Sequence, residues 1–170
     1  MSQTLASYLD PALATIEPPH DFAFWTGDWE VAHRQLKRRL VGSTEWVSFA
    51  GSCTARQLLG GFANMDENEI RKPDGTYIGM TVRQFDRATG LWSIYWLDSR
   101  HPGVEPPVVG SFAGGIGTFY GDDVFEGRKI RVRFRWTVTD PAAPHWEQAF
   151  SADGGESWET NWVMAFRRRR

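Results

Sequence analysis

Cysteine, long apolar runs and leader-like segments are scarce or missing in this sequence. The single cysteine, Cys53, excludes an internal disulfide and a multi-cysteine zinc site, and we interpret it as a packed thiol. No apolar run approaches the about 20 residues that a membrane-spanning helix needs, so no membrane association is expected. The N-terminus has no basic segment followed by an apolar core, so it does not resemble a secretory signal. These absences favour a cytoplasmic location.

An excess of positive charge is missing as well. The 170 residues carry a net charge of −2, although four arginines stand together at Arg167–Arg170. Without this tail the chain is clearly acidic, which makes it a poor electrostatic partner for phosphate backbones. We therefore expect no nucleic-acid partner and interpret the arginine run as a solvated terminus.

Aromatic residues and glycine are abundant: the chain has nine Trp, eleven Phe and 17 Gly. Aromatics suit pleated sheets and glycine suits turns, so this composition favours β-structure. Turn residues separate the strand-like runs, and no long helical segment connects them. The predicted strands are residues 28–39, 44–57, 65–71, 76–86, 91–99, 107–113, 116–122, 128–139, 145–151 and 157–167. Antiparallel strands that close on themselves leave no exposed edge, so we predict an all-β antiparallel barrel of about ten strands.

A short N-terminal arm precedes the predicted barrel. Asp10 is a helix-capping residue and Pro11 fits the first position of a helix, so the sequence PALATIE predicts one or two helical turns before Pro18. We predict two regions in the chain. Residues 1–20 form a short helical arm over one mouth of the barrel, and residues 21–170 form a single barrel domain.

Alternation of apolar and polar residues assigns the faces of the strands. The clearest case is the strand predicted at 128–139, whose apolar side we expect to face the interior. That side carries Ile130, Val132, Phe134, Trp136 and Val138. The strand predicted at 76–86 is ambiguous, because two alternating sets compete for the interior: Ile78, Met80 and Val82 against Tyr77, Thr81 and Phe85. On the strand predicted at 65–71, Glu67 and Glu69 share one face, and Asp66 and Asn68 share the other. A carboxylate of this strand and Arg83 would, if both face inward, form a buried ion pair that organises the interior.

Several motifs resemble a known class of barrels. Gly27-Asp28-Trp29 at the start of the first strand resembles the Gly-x-Trp opening of lipocalin-like, or calycin, barrels, in which the tryptophan closes one end. The other similar segments are Phe24-Trp25-Thr26-Gly27-Asp28-Trp29, Leu58-Leu59-Gly60-Gly61 with Asp66-Glu67-Asn68-Glu69, Trp92-Ser93-Ile94-Tyr95-Trp96 with Asp98-Ser99-Arg100, Gly117-Thr118-Phe119-Tyr120-Gly121-Asp122-Asp123, and Trp146-Glu147-Gln148-Ala149-Phe150-Ser151. Over residues 20–167 the chain resembles a bacterial family of uncharacterised lipocalin-like barrel proteins. The resemblance implies the fold but no activity, and it transfers no catalytic residue.

A second motif is structural. Ser151-Ala152-Asp153-Gly154-Gly155-Glu156-Ser157-Trp158 resembles an Asp-box, Ser-x-Asp-x-Gly-x-Ser-Trp. We interpret it as a hairpin turn in which the aspartate caps backbone N–H groups, and not as a sign of glycoside hydrolysis.

The inner face of the predicted barrel is crowded with tryptophan. A barrel of this kind encloses space for one small, largely apolar molecule held by a few polar groups. We therefore predict a protein that binds a small apolar or aromatic ligand. The predicted ligand-binding residues are Trp29, His33, Trp92, Trp96, Asp98, Trp136, Trp146, Gln148, Trp162 and Met164. Tyr95 or Tyr120 would help to orient the ligand.

Three alternatives stay open at this stage. An enzyme would use His33 and Asp98 as acid and base in a cofactor-free isomerase, cyclase or lyase reaction. A haem-binding barrel would use His33 or His145 as the iron ligand. An interaction module would have its barrel filled by its own tryptophans. The four histidines lack metal-site spacing, so apart from haem we expect no cofactor or metal, and we expect a monomer or a homodimer.

Overall fold

Ten antiparallel strands close into a barrel in the computed structural model, which describes residues 11–169. The strands are β1 (Gly27–Leu36), β2 (Trp46–Leu58), β3 (Ala63–Lys72), β4 (Gly75–Asp86), β5 (Leu91–Asp98), β6 (Val108–Ala113), β7 (Ile116–Phe125), β8 (Arg128–Thr137), β9 (His145–Ser151) and β10 (Glu159–Arg168). A 3₁₀ turn, Leu59–Gly61, joins β2 to β3. Each strand pairs with its neighbours in the sequence, and β1 also pairs with β10, which closes the sheet. The prediction of an antiparallel ten-stranded barrel is confirmed.

The predicted N-terminal arm falls only partly within the described residues. The described helix α1 covers only Pro11–Ala14, a single turn. The capping residue Asp10 and the rest of residues 1–10 lie outside the described residues. A helical arm over one mouth therefore stays a prediction. None of the helical segments in residues 11–169 could span a lipid bilayer.

The segment before β1 closes one end of the barrel, called the closed end below. The N–H of Trp25 donates to the carbonyl of Phe22, and both side chains are fully buried. Gln57 on β2 donates to the same carbonyl at 2.9 Å, which fixes the turn to the barrel wall. Trp25 stacks on Trp29, the tryptophan of the Gly-x-Trp motif, with 5.1 Å between ring centroids. The chain therefore seals this end with its own aromatic rings.

The inward face predicted for the strand at 128–139 is confirmed by burial along β8. The side chains of Ile130, Val132 and Trp136 are buried, whereas the arginines between them are half-buried on the other face. On β4 the ambiguity is resolved in favour of Tyr77 and Thr81, which are buried, while Ile78 is exposed.

A buried charge on β3 explains the face that β4 turns inward. Asp66 lies on the inner face of β3, opposite Thr81 in the antiparallel register, and Asn64 lies opposite Arg83. Only this phase of β4 places the guanidinium of Arg83 beside the carboxylate of Asp66. Because an unpaired buried carboxylate is very costly, the ion pair outweighs the burial of the competing aliphatic set.

Two further predictions from the sequence concern Cys53 and the turn at Asp153. Cys53 is buried on β2, where burial raises the pKa of its thiol, and this confirms the packed thiol. In the turn between β9 and β10, Asp153 accepts the backbone N–H of Ser157 at 3.0 Å. This bond stabilises the hairpin, and the likeness to an Asp-box stays a prediction.

Candidate functional site

A cavity of about 600 Å³ lies inside the barrel and extends from the closed end to the opposite mouth. Aromatic rings form a large part of its wall, among them Trp96, Phe134, Trp136, Trp146, Phe150 and Trp162. Charged residues from the loops after β1 and β5 and from the end of β7 surround the mouth: Lys37, Arg38, Arg39, Arg100, Glu105 and Asp123. The site therefore combines an interior of aromatic rings and a few polar groups with a charged entrance.

The aromatic wall is held together by edge-to-face contacts. Trp162 lies at the centre, 5.9 Å from Trp96 and 5.7 Å from Trp146 between ring centroids. Phe134 continues the wall at 4.9 Å from Trp146. The Trp96 indole lies directly over Gly79 of β4, where any Cβ atom would overlap it. These rings fix one another in a preferred aromatic geometry, so the wall is preformed.

An ion pair forms the floor of the cavity at the closed end. Nη1 of Arg83 donates to Oδ2 of Asp66 at 2.6 Å and to Oδ1 of Asn64 at 3.0 Å. Trp25 Nε1 donates to the same Asp66 oxygen at 3.0 Å. The guanidinium of Arg83 also lies over the rings of Phe22 and Trp25, 5.2 and 5.7 Å from their centroids. The floor is a neutralised pair, rigidly held by hydrogen bonds and cation–π contacts.

Two amides bring polar atoms to the aromatic wall. Gln148 Nε2 donates to Oδ1 of Asn161 at 2.8 Å, and its own carbonyl oxygen has no hydrogen-bond partner among residues 11–169. Asn68 Nδ2 lies 3.5 Å from the sulfur of Met164. The Asn68 Oδ1 atom is buried without a conventional partner. Both side chains line the cavity and supply the few polar contacts that orient a ligand.

His33 points inward, as predicted, but a layer of other side chains covers it. Its Nδ1 accepts a hydrogen bond from Nε1 of Trp162 at 3.2 Å, and its ring stacks on Phe49 with 4.9 Å between centroids. Because Nδ1 accepts, the neutral ring carries its proton on Nε2, on the side of Asn68. Burial lowers the pKa of His33 to about 4. His33 is thus a neutral core residue and does not line the cavity.

The low pKa of His33 predicts a specific pH dependence of stability. The unfolded chain binds a proton at an ordinary histidine pKa, whereas the folded chain resists protonation down to about 4. The contribution of His33 is therefore complete above the unfolded pKa and is lost as pH falls towards 4. We expect the free energy of unfolding to fall on the order of 2 kcal/mol from this group between about pH 7.5 and about pH 5.

Urea unfolding of the native protein and of the His33→Gln variant at both pH values checks this expectation. Glutamine keeps an acceptor for the Trp162 indole but does not titrate, so its profile should be flatter by the amount given above. Parallel pH profiles for the two proteins would contradict a buried, neutral His33.

Asp98 lies at the mouth in a tightly paired state. Its carboxylate accepts from Nη2 of Arg100 at 2.7 Å and from the Arg100 backbone N–H at 2.8 Å, and His101 lies 3.3 Å away. The hydrogen bonds from Arg100 hold the pKa of Asp98 well below its usual range. Asp98 is therefore ionised and paired with Arg100, which makes it poorly suited to act as a general acid or a general base.

The structure sorts the ten predicted ligand-binding residues into two groups. Those that line the cavity are Trp96, Asp98, Trp136, Trp146, Gln148, Trp162 and Met164. Trp29, His33 and Trp92 are fully buried but lie outside the lining. Trp92 packs beside the closed end, where its Nε1 donates to Asp21 at 3.0 Å. Of the two orienting tyrosines, Tyr120 is exposed on the outer surface and neither Tyr95 nor Tyr120 lines the cavity.

Sequence reasoning missed several lining residues. Tyr77 and Thr81 belong to the strand whose phase was ambiguous. Arg39 was missed because it follows β1, in a segment that the alternation assigned to the strand itself. The strand ends at Leu36, and the chain then turns over the mouth. The available signal was the run of positive charges between the aliphatic residues Leu36 and Leu40.

The residues present fit a haem group poorly. The two predicted iron ligands, His33 and His145, both lie outside the cavity lining, and Nδ1 of His33 is already occupied by Trp162. Within residues 11–169, His, Cys, Asp and Glu side chains form no cluster of three or more that could hold a metal ion. The groups that the cavity presents to a bound molecule are therefore aromatic rings and side-chain amides.

The fold is lipocalin-like: ten antiparallel strands close into one barrel around a cavity. Among solved structures, the chain is similar to Rv2717c from M. tuberculosis, with a TM-score of 0.59, 12% identity, and coverage of 91% of this chain and 100% of that one. It is also similar to the S-type phycobiliprotein lyase CPES from Guillardia theta, with a TM-score of 0.59, 11% identity, and coverage of 95% and 97%. At such identities the likeness shows the fold alone. No family model and no curated protein matches the chain, so the resemblance to the bacterial family of uncharacterised barrel proteins stays a prediction.

Proposed function

We propose that this protein binds a small, flat, largely aromatic molecule inside its barrel. The observation that carries the proposal is the cavity of about 600 Å³ walled by indole and phenyl rings. Its volume falls in the range of about 300–1,000 Å³ that is typical of small-molecule sites. Rings such as Trp146 and Trp162 supply apolar and stacking contacts, and Gln148 supplies a hydrogen-bond acceptor.

Two further observations favour this function over the alternatives. An open cavity speaks against a barrel filled by its own side chains. His33 is covered by Trp162, and Asp98 is paired with Arg100, so these two groups form no acid–base pair at the cavity surface. One of the similar barrels is a phycobiliprotein lyase, which supports a pigment-like, conjugated molecule as the kind of ligand.

Titration with the neutral fluorescent probe N-phenyl-1-naphthylamine tests the proposal. We expect the emission of the probe to rise and saturate with one probe bound per chain. Thr81 is buried and lines the cavity, so the Thr81→Trp variant fills the space and should weaken binding by about tenfold or more. The adjacent Val82 lies on the outer face of β4, and Val82→Trp is the matched control that should keep native affinity.

The outcome of this titration decides between a binding barrel and an inert one. A native protein that fails to bind the probe, or equal binding by the native protein and a folded Thr81→Trp variant, would refute the cavity as the binding site. Thermal unfolding of both variants establishes that they are folded under the conditions of the titration.

A further inference from the structure

Arg39 occupies an unusual place at the mouth of the cavity. Its guanidinium lies over two rings, 5.4 Å from the centroid of Phe150 and 5.8 Å from that of Phe125. All three side chains line the cavity. Arg39 thus stands where the aromatic wall meets the entrance, and its positive charge faces the space that the ligand would occupy.

The loop that carries Arg39 is held in one conformation. The next residue, Leu40, adopts a left-handed backbone with a φ of 58°, which is unusual for leucine. Its N–H donates to Oε1 of Glu159 on β10 at 2.7 Å, and its side chain packs against the core. At the base of the loop, the N–H of Lys37 donates to the carbonyl of Glu45 at 2.9 Å. The position of Arg39 is therefore preorganised.

Arg39 has no acidic partner among residues 11–169, in contrast to three other arginines of the barrel. Arg83 is paired with Asp66, Arg100 with Asp98, and Arg71 with Glu69. No carboxylate of residues 11–169 lies within ion-pair distance of Arg39, and no hydrogen bond joins it to another described side chain. Its guanidinium is half-buried on aromatic rings, and burial lowers its pKa. A guanidinium stays protonated even so, which leaves a partly dehydrated cation without a counterion.

The acidic side chains that line the mouth are Asp98, Glu105, Asp122, Asp123 and Glu126, and none of them forms an ion pair with Arg39. The two carboxylates that act on Arg39 through their fields are Glu105 and Glu159, and the carboxylate of Glu159 is already bonded to the Leu40 N–H. Asp98 is neutralised by Arg100. Asp123 accepts the N–H of Val124 at 2.7 Å on the far strand. An anion from outside the chain is the group that the Arg39 site lacks.

We propose that the ligand of this barrel is an aromatic acid whose anionic group, a carboxylate or sulfonate, binds Arg39 at the mouth while its rings fill the cavity. This inference rests on the proposed function and adds the chemical class of the ligand. The planar guanidinium offers two parallel N–H donors that match the two oxygens of such a group. The Arg39 site therefore also fixes the direction of entry, with the rings inside and the charge at the entrance.

A pair of probes with related ring systems separates the two proposals. The anionic probe is 8-anilinonaphthalene-1-sulfonate, and the neutral one is N-phenyl-1-naphthylamine. In the Arg39→Gln variant we expect affinity for the anionic probe to fall about tenfold or more, because a charge-assisted contact is lost. Affinity for the neutral probe should not change. The anionic probe should also bind more weakly to the native protein at high salt.

Two further variants serve as controls. Arg34 is exposed on the outer face of β1 and does not line the cavity, so Arg34→Gln should leave the affinities for both probes unchanged. Arg39→Lys keeps the charge but loses the planar donors, so it should recover part of the affinity that Arg39→Gln loses.

Each result has one meaning. Unchanged binding of the anionic probe by Arg39→Gln, with neutral binding intact, would overturn the assignment of Arg39 and leave the binding barrel standing. An equal loss of both probes in Arg39→Gln would also overturn it, since Arg39 would then only shape the wall. No binding of either probe by the native protein would instead refute the proposed function.

Discussion

Replacing Asp66 by alanine is expected to destabilise the protein by about 3–5 kcal/mol, because it leaves the buried guanidinium of Arg83 without its counter-charge. The two side chains are 4% and 5% exposed, so water cannot take over the role of the carboxylate. The same change removes the acceptor of the Trp25 indole at the closed end. Urea unfolding followed by tryptophan fluorescence measures the loss, since several indoles surround this pair.

An exposed ion pair on the same strand provides the control. Glu69 pairs with Arg71 at 2.7 Å, but more than 40% of each side chain is exposed. Glu69→Ala should therefore cost less than about 1 kcal/mol. If the two substitutions cost the same, burial would not be what makes the Asp66 pair important, and the floor of the cavity would be more hydrated than its geometry indicates.

Truncating Trp136 to alanine is the second change with a large expected effect, about 3–5 kcal/mol. This side chain is 1% exposed and touches the rings of Trp25 and Phe166, with centroids 4.8 and 5.5 Å away. The guanidinium of Arg83 lies 5.5 Å from the Trp136 ring. Removal of the Trp136 ring would leave an empty cavity where the floor of the site meets its wall, because the surrounding barrel is too rigid to collapse onto that space. Denaturant unfolding gives the free energy, and thermal unfolding gives the matching shift in Tm.

Trp46 is the matched control for this truncation, because its ring is half-buried on the outer face of β2, where the guanidinium of Arg34 lies 5.2 Å from the ring centroid. Trp46→Ala should cost about 1 kcal/mol or less. A small effect at Trp136 would show that the closed end is loosely packed, and the enclosed cavity would then lose its rigid floor.

Much of the fold was predictable because its signals are local. Turn residues and alternation located every strand of the barrel, and β5 and β9 differ from the predicted 91–99 and 145–151 by at most one residue. Where the alternation was clean, as around Trp136 on β8, the inward face was predicted correctly. Where both faces carried apolar residues, as on β4, alternation gave no answer, and the partner charge on β3 decided the phase.

The candidate site was predicted only in part. Alternation indicates whether a side chain faces the interior or the exterior, but it does not give the position of that side chain along the barrel axis. Trp29 and Trp92 face inward, but they lie level with the closed end, where Phe22 and Trp25 fill the space. His33 lies higher, yet the register of β1 with β10 places Trp162 over it. Loop residues such as Arg39 follow no period, so their position relative to the cavity cannot be derived from spacing.

By itself, the sequence determined the strand-rich architecture, the antiparallel order and the aromatic character of the interior, since each of these depends on residues only a few positions apart. Only the tertiary structure decided which end is sealed, how much space is left and which polar groups reach it. Those properties arise when the first and last strands pair. That pairing brings side chains such as His33 and Trp162, 129 positions apart, into contact, and no local pattern records it.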